Sequence, residues 1–343
     1  MNSKSPSKMH HTPGIPQSLQ DLLPKWAHFC LYTEKFVTNE LDVDLKGKRL
    51  LVGVSGGVDS IALLMVFHYL AQRNECELIA VHLDHQLRSE SDEDAVWVKS
   101  LCMTIGIECV LEKRDIAALA EEMGIGLEEA GRNARYALFS ELLESKSADL
   151  IALAHHLDDL SEDVLMRLMR GTGWPGLSGM SGFDPARKLI RPFLMMPKST
   201  LIAFVKHLTI EWREDATNSD PSWTRNRIRN EVMPLFIKEN PNFKESIGRL
   251  WKIGKIEQNF WAELTSDPLE ELSNDKLEDV HQAVRLRLFK ASLDSLGQGQ
   301  ALAHTLFKLD EAWLSKRVGS VFQFPGDKTA TITGSGVVFS YKH

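Results

Sequence analysis

Apolar and polar positions change rhythm several times along the chain. Leu19–Val43 carries apolar residues at mixed helical spacing and predicts a helix that starts near Pro24. Arg49–Val54 is a short apolar run that ends in Ser-Gly-Gly, and Ile61–Leu70 is strongly apolar at helical length. Strand-like runs follow at Leu78–His82, Glu108–Glu112 and Leu150–Ala154. Helical patterns separate or follow them at Asp92–Ile105, Leu127–Ser145 and Leu160–Arg170. Strand and helix therefore alternate, the pattern of an α/β domain with a parallel sheet and helices on both faces. In such sheets ligands bind beyond the carboxyl ends of the strands. Three loops sit there: Ser55–Ser60, His82–Arg88 and His155–Asp159.

Gly171–Pro192 breaks the rhythm with glycines and prolines and reads as a long functional loop. Pro197 opens a helix to about Leu208, and Glu211–Asn230 is polar and rich in Arg, Asp and Asn. Helical patterns return at Phe243–Thr265 and Leu277–Leu296. Val321–Tyr341 alternates around Pro325-Gly326-Asp327 and Gly334-Ser335-Gly336, which predicts hairpin strands. The expected organisation is a disordered tail over 1–17, a catalytic domain over 18–215, and over 216–343 a helical linker with a small carboxy-terminal domain.

Composition narrows the classes. With 343 residues, 43% of them apolar and 25% charged, the chain suits a globular protein of two or three domains. No apolar run is long enough to span a bilayer, and Met1–Gln17 lacks the apolar core of a secretory signal. A cytoplasmic protein with no membrane partner is expected. The cysteines Cys30, Cys76, Cys102 and Cys109 form no Cys-x-x-Cys pair and no zinc-ligand spacing. A net charge of −7 argues against indiscriminate coating of nucleic acid, but leaves room for a local basic surface.

A strand, then Ser55-Gly56-Gly57-Val58-Asp59-Ser60, then an apolar helix forms a phosphate-binding arrangement. The glycines let the backbone turn tightly and bring N–H groups to an anion, and the helix adds unsatisfied amides and its positive end. Ser55 and Ser60 supply hydroxyls, and Asp59 can help to hold magnesium. The loop lacks the Gly-Lys-Ser/Thr of the kinase-type loop, so no lysine is expected to be poised over the terminal phosphates. It also lacks Gly-x-Gly-x-x-Gly, which argues against a dinucleotide site. The loop resembles that of the ATP pyrophosphatases, the PP-loop superfamily with the adenine nucleotide alpha hydrolase-like fold.

Within that superfamily the sequence resembles the tRNA(Ile)-lysidine synthetases. The motifs that carry the likeness are His82-Leu83-Asp84-His85-Gln86-Leu87-Arg88, Glu129–Tyr136, Ala154-His155-His156-Leu157-Asp158-Asp159, Arg167–Gly173, Gly176–Met180, Ile190-Arg191-Pro192 and Thr224–Arg229. The resemblance implies ligation of free L-lysine to the wobble cytidine of an isoleucine tRNA with a CAU anticodon. The path is ATP-driven, through an adenylated cytidine, with magnesium present; a homodimer is compatible with it. It also implies nucleotide contacts from His82 and Arg132, and tRNA contacts from Arg225, Asn226 and Arg229.

Asp159 and Glu162 lie three apart on one helix face and could hold magnesium or deprotonate the lysine amine; a solvated face is the plainer alternative. Arg191 is placed to stabilise charge on the α-phosphate. Two positions depart from the family pattern: Leu160 stands where a glutamine is usual, and Asp163 where a threonine is usual. The alternatives are a sister enzyme that inserts sulphur, which commonly needs paired cysteines, and a nucleotide-binding module without catalysis.

Overall fold

The computed structural model describes residues 14–87, 91–213, 223–266 and 270–342. Most of the expected tail, Arg88 of the second loop and the expected boundary at 215/216 lie outside them. The chain divides into two compact units, Met1–Lys252 and Ile253–His343.

The first unit is built on a six-stranded sheet. Its strands are β1 (Arg49–Gly53), β2 (Glu77–Asp84), β3 (Glu108–Lys113), β4 (Leu150–Ala152) and the two-residue β5 (Phe183–Asp184) and β6 (Leu189–Ile190). Their order is β3-β2-β1-β4-β6-β5, and every pairing is parallel except that of β5 with β6. Successive side chains of a strand point to opposite faces. In β1, Leu50 and Val52 enter one core and Leu51 enters another, which is why the strand reads as an unbroken apolar run.

Helices cover both faces. On one lie α1 (Pro24–Lys35), α2 (Val58–Asn74) and α3 (Ser91–Thr104). Helix α2 packs against β1 and β2 and also against α1 and α7 (Lys198–His207), so Ile61–Leu70 is apolar almost all round. On the other face α5 (Leu127–Ser145) sets Leu138, Phe139 and Leu142 against Leu51, Ile79, Val81 and Ile151. Between β3 and α5 lies the short α4 (Ile116–Met123), which the sequence pattern did not announce. Asp115 caps it by accepting from the Ala118 amide at 2.9 Å, and Gly124 ends it at φ +63°.

Helix α6 (Leu157–Met169) follows β4 and starts three residues earlier than the periodicity indicates. The Gly/Pro-rich stretch after it is less irregular than expected, since β5 and β6 extend the sheet. Leu160, the departure from the family pattern, is fully buried. A Cβ on Gly179 would stand 2.5 Å from its Cδ1, so the loop lies directly on this leucine. The polar segment contains α8 (Thr224–Arg227), and past it come α9 (Met233–Glu239) and α10 (Phe243–Leu264); the division between units falls within α10.

The second unit combines helices with a four-stranded antiparallel sheet. The expected hairpins are present as β8 (Val321–Phe324), β9 (Lys328–Ile332) and β10 (Gly336–Tyr341), and β7 (Glu271–Ser273) joins at the edge. The single helix expected over Leu277–Leu296 is two, α11 (Asn274–Glu278) and α12 (Gln282–Ser295). The break falls where the His281 ring accepts from the Ala283 amide at 3.1 Å and restarts the helix. A further helix, α13 (Ala303–Leu314), completes the unit. Among the described residues no helix is long and apolar enough to cross a membrane.

Candidate active site

The pairing of β1 with β2 ends where the Val54 amide donates to the Val81 carbonyl at 2.8 Å, and the chain then turns. Gly56 takes φ +91°, a conformation that L side chains rarely adopt, and Gly57 returns to extended geometry as the N-cap of α2. Ser60 ties the turn together: its hydroxyl donates to the Gly57 carbonyl at 2.8 Å and accepts from the Ser55 amide at 3.1 Å. From outside, the Arg213 amide donates to the Gly56 carbonyl at 2.9 Å. The loop is thus fixed with the amino-terminal end of α2 turned to a cavity of about 320 Å³. Ser55, Asp59, Ser60, His85, Arg135 and His155 contribute to its lining, beyond the carboxyl ends of β1, β2 and β4.

His156 is the N-cap of α6. Its Nδ1 accepts from the Asp159 amide at 3.3 Å, while the Asp159 carboxylate accepts from the His156 amide at 3.0 Å. That exchange assigns the ring hydrogen to Nε2, which lies 3.5 Å from the Asp59 carboxylate. Burial opposes charge on His156, but Asp159 and Asp59 outweigh it and raise its pKa. Burial likewise opposes charge on Asp159, yet His156 and Arg225 hold its carboxyl down to about 2. The neighbouring His155 goes the other way. Burial lowers it to about 3, and its Nδ1 accepts from Arg191 Nε at 3.2 Å, so the ring is neutral. Adjacent histidines thus do separate jobs.

Several residues singled out in the sequence do meet. Asp159 and Glu162 share a face of α6, and Arg225 and Arg229 come to them from the polar segment. Glu162 is 2% exposed and accepts from both arginines, so it serves as their anchor in this arrangement. Arg191 is buried, with Nη1 on the Ser181 carbonyl at 2.7 Å. Asn226 is buried beside the two arginines in sequence. His82 is buried on β2 with Nδ1 2.8 Å from the Val54 carbonyl, which braces the loop from beneath. Arg132 is exposed and lies over the Tyr136 ring, 5.0 Å from its centroid, outside the cavity lining.

Other participants were less legible. Arg135, one helical turn from Arg132, does line the cavity, and its buried Nε has no hydrogen-bond partner. Burial lowers its pKa, so an anion in the cavity would relieve it. Gly131 makes room for His85, whose ring carbon would stand 3.2 Å from a Cβ there. Asp158 belongs with α7 rather than with the site: it accepts from the Lys198 amide at 2.9 Å and pairs with Lys244. Only α7 and α10 reveal that role, and both lie far along the chain.

Asp59 Oδ1 is buried without a hydrogen-bond partner, a fit for a hard cation. Among the described residues no group of three or more His, Cys, Asp or Glu side chains could hold a metal by itself. That composition suits an ion shared between one carboxylate and substrate phosphates. None of the four cysteines lines the cavity.

The PP-loop domain pattern matches residues 31–236, which span the sheet, the loop, Arg225 and Arg229. The chain is 42% identical to tRNA(Ile)-lysidine synthase of Nitratidesulfovibrio vulgaris, over 84% of its own length and 91% of that relative. It is 35% identical to the enzyme of the same name from Bacillus subtilis over 68% of its length, and spans half of that longer protein. Among solved structures it resembles the U34-tRNA thiolase NcsA from Methanococcus maripaludis. That match has a TM-score of 0.55 at 18% identity over 66% of this chain and 77% of the thiolase, a likeness of fold alone. The chain belongs to the tRNA(Ile)-lysidine synthase family of PP-loop proteins.

Proposed function

We propose that the protein is a ligase that uses ATP to adenylate the wobble cytidine of an isoleucine tRNA with a CAU anticodon and then joins free L-lysine to it. Pyrophosphate leaves in the first step and AMP in the second. The observation that carries the reading is the Ser55–Ser60 loop at the end of β1, facing a cavity that Asp59, Arg135 and His155 also line. A cytosine carbonyl is a poor electrophile, so its oxygen must first become a leaving group. The loop amides and hydroxyls bind the pyrophosphate portion, and Arg135 and Arg191 offer positive charge for the α-phosphate. Magnesium, shared between Asp59 and the phosphates, would supply further charge neutralisation there.

Asp159 is the carboxylate for the second step. It is ionised, and unlike Glu162 it is not wholly enclosed by guanidinium groups. Free lysine arrives as an ammonium; Asp159 binds it, and the amine loses its proton as the carbon–nitrogen bond forms. Arg225, Asn226 and Arg229 belong to the tRNA-facing side of this reading, and the second unit to tRNA binding. The expected setting is the cytoplasm. Incubation with ATP, radiolabelled lysine and bulk tRNA, followed by nucleoside analysis, tests it. A labelled nucleoside in place of cytidine is the expected product; label that remains free rejects the assignment.

A further inference from the structure

We propose that Lys198, supplied by the first turn of α7, is the cation that holds the pyrophosphate portion of ATP and the departing pyrophosphate. The inference rests on the reading of Ser55–Ser60 as the pyrophosphate loop, and it adds the positive side chain that the loop itself does not contain.

Lys198 Nζ lies 3.2 Å from Asp59 Oδ2, on the first turn of α2. Its backbone is fixed, because its amide donates to Asp158 and Asp158 is in turn held by Lys244. Its side chain is 38% exposed, so the head group can swing about an anchored Cα. Arg213, Arg225 and Arg229 are committed elsewhere, and Arg135, on the cavity wall, is assigned to the α-phosphate. Arg213 reaches Asp94 at 3.5 Å and lies over Trp97, while Arg225 and Arg229 grip Glu162. The loop itself offers amides, hydroxyls and the Asp59 carboxylate, and no positive side chain, to a ligand that carries several negative charges.

The chemistry assigns Lys198 to one step. As the cytidine oxygen bonds to the α-phosphorus, the bond from that phosphorus to the bridging oxygen breaks. Pyrophosphate keeps the electron pair. A lysine beside the loop stabilises the charge that gathers there. Without nucleotide, Asp59 holds the ammonium; with nucleotide, the phosphates compete for it. Attack of lysine on the adenylated cytidine releases AMP and does not involve this cation.

Calorimetric titration of the full chain with inorganic pyrophosphate and, separately, with AMP, both with magnesium present, tests the assignment. Lys198→Met keeps the length of the side chain and removes its charge. It should bind pyrophosphate at least about 10-fold more weakly, the loss typical of a charge-assisted contact, with AMP affinity unchanged. Lys198→Arg should restore much of the pyrophosphate affinity. Wild-type pyrophosphate affinity in Lys198→Met would overturn the proposal, as would equal loss of AMP and pyrophosphate in a variant with a normal melting temperature. Absence of pyrophosphate binding by the wild-type protein would overturn the loop reading itself, and the assignment with it.

Discussion

Arg229 Nε donates to Glu162 Oε1 at 2.6 Å, and its Nη2 donates to Glu162 Oε2 at 2.9 Å. A residue that the sequence suggests for RNA and one that it suggests for catalysis are therefore bonded to each other. Arg225 shares the same carboxylate.

Loss of Glu162 should consequently be felt in folding as well as in turnover. Glu162→Ala leaves two guanidinium groups crowded without their partner. Both arginines keep some water contact, so the cost should be about 2 kcal/mol, below the usual range for a broken buried pair. Chemical denaturation of the variant measures it; wild-type stability would show that the cluster is not a structural element.

The RNA role of Arg229 can be separated from this anchoring. Arg229→Lys keeps the charge that a phosphate needs but loses the two-point grip on Glu162. Stability should fall by about 1 kcal/mol, the worth of a modest hydrogen bond, while the salt dependence of tRNA binding stays as in wild type. Arg229→Ala should flatten that dependence. An unchanged slope in Arg229→Ala would leave the residue purely structural.

The two loop glycines should fail differently. Gly56 sits at φ +91°, so Gly56→Ala should lower stability by about 1–2 kcal/mol before any ligand is added. Gly57 has φ −73°, and a Cβ there meets only ordinary contacts, the nearest at 3.5 Å. Gly57→Val should therefore melt like wild type yet lose ATP binding, because the added bulk blocks close approach of the phosphates to the backbone. ATP affinity retained in Gly57→Val would contradict the pyrophosphate loop.

Acid should weaken the protein early. His155 has its pKa depressed to about 3, against about 6.5 in an unfolded chain. A depressed group contributes stability above its unfolded pKa, and that contribution is lost as pH falls towards the folded value. Asp159, at about 2 against an unfolded value near 3.9, adds a second loss at lower pH. Urea titrations should show stability declining from about pH 6.5 downwards. His155→Gln should flatten the upper part of that decline.

Much of this was readable from the chain. The alternation of strands and helices gave the parallel sheet, because a strand covered on both faces must be apolar at successive positions, as Leu50, Leu51 and Val52 are. The phosphate loop was legible because its glycines, serines and helix start are contiguous. What stayed hidden depends on contacts between distant segments. Lys198 reaches Asp59 only after α7 folds onto α2, and Asp158 turns away from its neighbour Asp159 to hold α7. Strands β5 and β6 were missed because two residues carry no periodicity. Arg132 and Arg135 share a motif, and only the cavity wall distinguishes them.

Both steps of the proposed reaction are visible at once in ATP labelled at the α- and γ-phosphates, with tRNA and lysine present. The account predicts AMP and pyrophosphate in amounts equal to the lysine-bearing nucleoside formed, and in Asp159→Asn an adenylated tRNA that accumulates without lysine. Formation of ADP and phosphate, or near-normal lysine incorporation by Asp159→Asn, would contradict it.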